Sequence, residues 1–302
     1  MSTATHIAPS RDTRGVLLVF GAGVLWSTIG LFVRLIDDAV VWQILLYRSI
    51  VLSAFLFVVI RWRTGESPFR RCREIGLPGV IGALALVAAY TGGIYAIQAT
   101  SVANAMVLFA SAPFMAALLG MVILKEPVRV HTWIAMGVAC LGIGIMVWDK
   151  SGGGAMAGNL AALGSALGFA VFTITLRWGK SGEMLPAVFM SGLFAIVIMG
   201  GICLLLGLPL VLSAHDGAIA GSMGIFQVGA GLVLYTIGSK TVPAAELTLL
   251  SLAEVVLAPF WVWLAMGEVP TQNTLIGGAV LLCAIAGNAM RGGRRKPPIS
   301  TP

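Results

Sequence analysis

The sequence predicts an all-α integral membrane protein of ten transmembrane helices, arranged as two inverted five-helix repeats with both termini cytoplasmic. Three observations lead there. Of 302 residues, 58% are hydrophobic and 10% charged, with a mean hydropathy of +0.97; that is too little polar surface to coat a soluble globule of this length. The apolar residues fall in ten runs near the length of about 20 needed to cross hydrocarbon, joined by short links. And the stretch from Ala99 to Glu126 returns loosely 142 residues later, as Thr241 to Glu268.

The runs are 15–36, 40–62, 76–98, 101–124, 128–148, 157–178, 184–208, 217–239, 244–267 and 270–290. Arg11 and Arg14 precede the first, as in a signal peptide, but the run is too long and nine more follow, so it is expected to be retained. The second carries Tyr47 and Arg48, the fourth Pro113, and the ninth Glu246, Glu254 and Pro259. Unbroken apolar runs are the opposite of the alternation a membrane barrel requires. The expected divisions are a cytoplasmic segment 1–14, a first repeat 15–148, a periplasmic linker 149–156, a second repeat 157–290 and a basic cytoplasmic tail 291–302.

Repetition is also visible in the first span. Gly15, Gly21 and Arg34 in GVLLVFGAGVLWSTIGLFVRL match Gly158, Gly164 and Arg177 in GNLAALGSALGFAVFTITLRW. An odd number of helices per copy makes the second copy enter from the opposite side, an arrangement recurrent in secondary transporters. Orientation follows from charge. With the N-terminus inside, sixteen of the nineteen Lys and Arg lie on inside segments, Arg34 and Lys150 lie outside, and Arg48 is within a span. The net charge of +7 therefore reads as topology, with the tail anchored on anionic lipid and no nucleic acid as partner.

Cys72, Cys140, Cys203 and Cys283 are far apart and suggest neither a disulfide framework nor a metal site. His6, His131 and His215 sit at segment ends, as solvated histidines do. No HExxH, phosphate-binding lysine loop or GxSxG is present. No cofactor, metal or catalytic residue is expected, and the chain is not read as an enzyme; its oligomeric state is open.

An ionisable residue in mid-span costs about 2.5–3.5 kcal/mol on insertion scales and by default marks a cavity or pathway. Glu246 and Glu254 share a helix face about 12 Å apart along the axis. Glu254 is either a cavity wall that meets a substrate amine or carries a proton, or half of a structural ion pair with Arg48. Trp26, Tyr47, Tyr90, Asn104, Tyr235 and Ser251 supply the aromatic and hydrogen-bonding groups that a small amphipathic metabolite requires. Tyr95, Gln98, Ser111 and Gln227 form a softer list, and each residue alone has packing as its alternative. Pro113 and Pro259 withdraw donors from the carbonyls of Phe109 and Val255, giving kinks that are either passive or line the site. Trp42, Trp62, Trp133, Trp148 and Trp178 read as an interfacial belt, Trp261 and Trp263 as lipid-facing. Gly164 with Gly168, and Gly217 with Gly221, have the spacing of close helix packing.

The five-plus-five arrangement, Trp26-Ser27, Tyr47-Arg48 and the units Pro113 to Glu126 and Val255 to Glu268 resemble the EamA type of the drug/metabolite transporter superfamily, from about Gly15 to Arg291. In one respect the chain departs from that family, in which a proline follows the mid-helix glutamate of the second copy; here Val255 follows Glu254 and the proline is Pro259, so the kink of the ninth helix is expected to be displaced. The resemblance implies an inner-membrane transporter, and within the family it is to amino-acid exporters, in particular the aromatic amino acid exporter. The expected function is export of amino acids and related small metabolites by alternating access. Its alternatives are a multidrug or cation exporter of the same fold and an enzyme acting on lipid-linked substrates.

Topology is directly testable. Cysteines introduced as Asp38→Cys and Gly152→Cys are expected to react with an impermeant thiol reagent from the periplasm, and native Cys72 only from the cytoplasm. Labelling of Cys72 in intact cells would overturn the orientation.

Overall fold

The computed structural model describes residues 13–148, 152–179, 184–242 and 244–292, without the side chains of 152–155, 244–246, 248, 249, 251, 252, 291 and 292. Among the described residues there are helices and their links and no strand. Ten long helices follow the expected order: α1 (Thr13–Arg34), α2 (Val41–Thr64), α3 (Gly76–Ala99), α4 (Val102–Ile123), α5 (Val130–Val147), α6 (Gly152–Trp178), α7 (Met184–Leu205), α8 (Ala214–Gly238), α9 (Ala244–Met266) and α10 (Gln272–Gly292). Nine helices among the described residues are long and apolar enough to cross a membrane, and α9 has a shorter apolar stretch, Ala253–Met266.

Local chemistry sets the helix ends. Ser101 accepts a hydrogen bond from the Asn104 amide at 3.2 Å and opens α4. Ser213 does the same for the Asp216 amide at 3.0 Å and opens α8. Gly65, at φ +70°, closes α2 in the left-handed conformation. α1 is interrupted at Thr28, whose hydroxyl donates to the Leu25 carbonyl at 2.6 Å. α4 breaks at Ala110 and Ser111, one turn before the ring of Pro113 would meet a continuous helix. α9 runs through Pro259 unbroken. α8 contains a π-helical stretch, Met223–Ala230.

Pairing between helices repeats itself. α3 packs on α6 as α1 packs on α8; α4 on α6 as α9 on α1; α2 on α8 as α7 on α3; while α2 with α7, α4 with α9 and α5 with α10 are self-paired. Exchanging each helix with the one five places along returns these same pairings. The links 35–40, 100–101, 206–213 and 267–271 gather on one face, here the upper, through the hydrogen bonds of Asp216, Tyr47, Gln43 and Arg34. The opposite, lower face brings Cys72 to the Pro186 carbonyl and Thr132 to Asn288.

Each face carries an arginine–glutamate pair at repeat-equivalent positions. On the upper face Arg34, ending α1, reaches Glu268 at 2.9 Å and the Thr100 carbonyl at 2.8 Å. The same carboxylate accepts the Val102 amide at 2.7 Å, placing negative charge at the N-terminus of α4. On the lower face Arg177, ending α6, pairs with Glu126. Each glutamate is aimed by the residue before it, Gly267 at φ +70° and Lys125 at φ +55°, the left-handed turn that lets a helix end reverse.

Four expectations change here. Gly168 is a close-packing glycine, since a Cβ would lie 2.7 Å from the Ala85 carbonyl oxygen, but Gly164 faces no protein atom within 4 Å. Trp261 is not simply lipid-facing, because its indole donates to the Ser27 hydroxyl at 2.9 Å. Of the belt tryptophans, Trp62, Trp133, Trp148 and Trp178 are exposed and Trp42 packs on the core. Cys72 is a poor topology reporter. Burial pushes its thiol up to about 11, so little thiolate forms near neutral pH, and the introduced cysteines are the better probes.

Glycine contacts yield a contrast. A Cβ on Gly142 would lie 2.6 Å from the Gly277 carbonyl oxygen, and one on Gly277 would meet that of Gly142. Gly142→Val is therefore expected to part α5 from α10 and cost about 1–3 kcal/mol, whereas Gly164→Ala should be neutral or stabilising by up to about 1 kcal/mol. Apparent melting temperatures in detergent decide it; equal effects would contradict the packing.

Candidate functional site

A cavity of about 280 Å³ lies at the centre of the bundle. Its wall draws on α1, α2, α3 and α4 and on α6, α7, α8, α9 and α10, hence on both repeats. Nearest the upper face are Ile29, Ile97 and Ala105, and toward the lower face the wall extends to Met184, at the start of α7. About one turn above Ile97 and Ala105, the Arg34–Glu268 pair ties α1, α4 and the end of α9 together.

The wall is mostly apolar and aromatic. Trp26 and Tyr235 face each other at 5.3 Å between ring centroids. Trp26 is set by Gly231, where any side chain would collide with the indole. Phe109, Phe169 and Phe172 form a second aromatic run, with successive centroids 5.7 and 6.0 Å apart. Pro113 lines the cavity immediately after the break in α4.

Besides the polar tips of Trp26, Tyr90 and Tyr235 and the hydroxyl of Ser165, which donates to the Ala89 carbonyl, this surface carries Arg48 on α2, Gln227 on the π-helical stretch of α8, and Glu254 at the middle of α9. Arg48 is 1% exposed. Its guanidinium lies 4.2 Å from the centroid of the Tyr90 ring, in cation–π contact. Among the described residues none of its three side-chain nitrogens has a hydrogen-bond partner, nor has the buried carbonyl oxygen of Gln227.

The structure therefore brings together Trp26, Tyr90, Tyr235, Glu254, Arg48 and Pro113. It separates others. Tyr47 does not line the cavity; its hydroxyl donates to the Leu210 carbonyl at 3.0 Å and accepts the Leu212 amide at 3.2 Å, holding the link before α8. Asn104 does not line it either. Its amide donates to the Asn159 side-chain oxygen and, at 3.3 Å, to Thr100, joining α4 to α6. The expected Arg48–Glu254 ion pair is absent: both residues reach the cavity, and the charge of Arg48 meets a ring instead of a carboxylate. Pro259 stays within an unbroken helix and outside the cavity wall. The side chains of Glu246 and Ser251 lie outside the described residues, although their backbone belongs to α9.

Sequence reasoning passed over Phe109, Phe169, Phe172 and Met184, which carried no signal distinguishing them from packing residues. Gln227 stood among the softer candidates, and a mid-span amide was its signal. Asp37, His215 and Asp216 form the acidic group with metal-ligand proximity, but both Asp216 oxygens already accept backbone amides, from Asp37 at 3.1 Å, Asp38 at 3.1 Å and Ala39 at 3.0 Å. That carboxylate fastens the link between α1 and α2 to α8.

The EamA-like transporter family model matches residues 13–148 and again 156–290. Protein RarD of Salmonella typhimurium is 27% identical over 74% of this chain and 75% of that protein. Solute carrier family 35 member G1 of Homo sapiens is 25% identical over 91% of this chain and 77% of that protein. An uncharacterized transporter of Pseudomonas aeruginosa is 24% identical over 93% and 94%. A protein of known crystal structure aligns at a TM-score of 0.65 and 19% identity, covering 95% of this chain and 100% of its own, and so has the same fold.

The reassigned residues can be checked by stability alone. Tyr47→Phe is expected to cost about 0.5–1.5 kcal/mol, and Asn104→Ala, which leaves the buried Asn159 oxygen unpaired, about 1–3 kcal/mol. Unchanged apparent melting temperatures in both variants would remove these roles.

Proposed function

Because the chain belongs to the EamA-like transporter family of the drug/metabolite transporter superfamily, and so is a multi-pass membrane transporter of small molecules, we propose that it exports amino acids, aromatic and other apolar ones above all, across the bacterial inner membrane. The observation that carries this reading is the central cavity. Both repeats contribute to it, and it combines the Trp26–Tyr235 and phenylalanine surfaces with the single carboxylate of Glu254. An apolar side chain set against the rings gains roughly 25 cal/mol per Å² of buried apolar area, while the amine meets Glu254.

The helices are taken as ten spans in two inverted repeats, 15–148 and 157–290, with the lower face cytoplasmic, as the distribution of Lys and Arg indicates. The cavity then reaches toward the cytoplasm, and the Arg34–Glu268 pair with the α4 N-terminus closes the periplasmic side. Export requires that this closure release while the lower face closes, and the repeat-equivalent Arg177–Glu126 pair stands where the mirrored state would be held. Glu254 couples the cycle by carrying either the substrate ammonium or a proton, so that its charge is never left unmatched in the cavity.

Purified protein in liposomes tests the reading. Wild type is expected to exchange labelled phenylalanine and leucine against internal unlabelled amino acid and to concentrate them under a pH gradient. Glu254→Gln should abolish the gradient-driven component and keep exchange. Rates equal to those of empty liposomes across an amino-acid panel would sink it.

A further inference from the structure

We infer that Arg48 is the carboxylate-binding residue of this cavity, so that the cargo must carry an anionic group. The inference deepens the transport reading and rests on it. Arg48 is 1% exposed and forms part of the cavity wall. None of its three side-chain nitrogens has a hydrogen-bond partner among the described residues. A guanidinium is always charged and offers a planar fork of donors that fits a carboxylate bidentately. A buried cation with no counter-ion opposes folding. Among the described residues its one electrostatic neighbour is the face of Tyr90, at 4.2 Å, which leaves the donors at the guanidinium edge unused.

The position of this charge is set by the fold. α8 lies so close to α2 that a Cβ on Gly224 would be 2.6 Å from the Arg48 carbonyl oxygen. From the π-helical stretch beginning one residue earlier, Gln227 presents an unpartnered carbonyl oxygen to the same cavity. Glu254 adds a second acceptor from α9. The cavity thus has unused donors in Arg48 and acceptors in Gln227 and Glu254, joined by aromatic surface. A zwitterion completes that set: its carboxylate takes the fork of Arg48, its ammonium takes Glu254 and Gln227, and its side chain takes the rings. A cation alone would leave Arg48 unmatched and be repelled by it. Had Arg48 served only to join helices, it would have a partner among them.

The test uses matched ligands in binding and liposome exchange: L-phenylalanine, its uncharged-carbonyl analogue L-phenylalaninamide, and 3-phenylpropionate, which lacks the amine. Wild type is expected to bind phenylalanine and to be inhibited by phenylpropionate, with phenylalaninamide weaker by about 10-fold to 100-fold. Arg48→Gln should weaken phenylalanine by a similar factor, erase the preference over the amide and, by removing an unmatched charge, raise the apparent melting temperature of the ligand-free protein. Arg48→Lys should recover part of the preference. Should phenylalanine and its amide move equally well in wild type, the assignment fails and the transport reading stands. Should no amino acid move while phenylpropionate stabilises wild type and not Arg48→Gln, the amino-acid reading fails and the assignment stands. Stabilisation by none of the carboxylates, or an Arg48→Gln protein that falls in yield and stability while wild type ignores the carboxylate, overturns the assignment.

Discussion

Apolar helices in a bilayer gain nothing by hiding leucine from lipid, so their association has to come from close backbone contact and a few polar ties. In this bundle the contact is made through glycine. Gly92 and Gly168 let α3 and α6 approach until a Cβ on either would be 2.7 Å from a carbonyl oxygen of the other helix; Gly142 and Gly277 do the same for α5 and α10, and Gly238 for α8 against α1. Those crossings recur under the exchange of repeats, so one packing solution is used twice. The cavity is the space that these contacts leave between the two repeats.

Polar ties act at the two faces. Arg34 with Glu268 and Arg177 with Glu126 occupy equivalent corners, each glutamate turned inward by a left-handed residue at a helix end. Their surroundings differ. The upper pair is about a quarter exposed and also holds the α4 N-terminus, while the lower pair is about half exposed. A fold with internal symmetry but unequal ends is one in which the two ends can exchange environments.

At the centre, buried polar groups lie both on the cavity wall and behind it. Asn104 and Asn159 are buried off the wall and joined by a hydrogen bond, and Ser165, on the wall, donates to the Ala89 carbonyl at 2.6 Å. Arg48 and Gln227 on the wall keep unsatisfied atoms, as do the Asn104 side-chain oxygen and the Ser53 hydroxyl away from it. What sets Arg48 apart is that a whole charged group on the cavity wall has no hydrogen-bond partner among the described residues.

The sequence by itself determined the membrane class, the helix order and the repeat, because hydropathy run length and a recurring Arg, Gly and Glu spacing are properties of the chain. It also marked Trp26, Tyr90, Tyr235, Arg48, Glu254 and Pro113, since charge and aromatic polarity are costly at mid-span wherever they face. It was silent on direction. Tyr47 and Arg48 are neighbours in sequence, but 100° of helix rotation sends one to the 206–213 link and the other to the cavity. Asn104 had the composition of a ligand group, and only the approach of α6 gave it Asn159 as partner. The pairing of Arg48 with Glu254 was suggested by opposite charge alone, and tertiary placement sent each to the cavity without joining them. Which face a residue presents, and what meets it there, depends on helices far away in sequence, and that the tertiary structure decided.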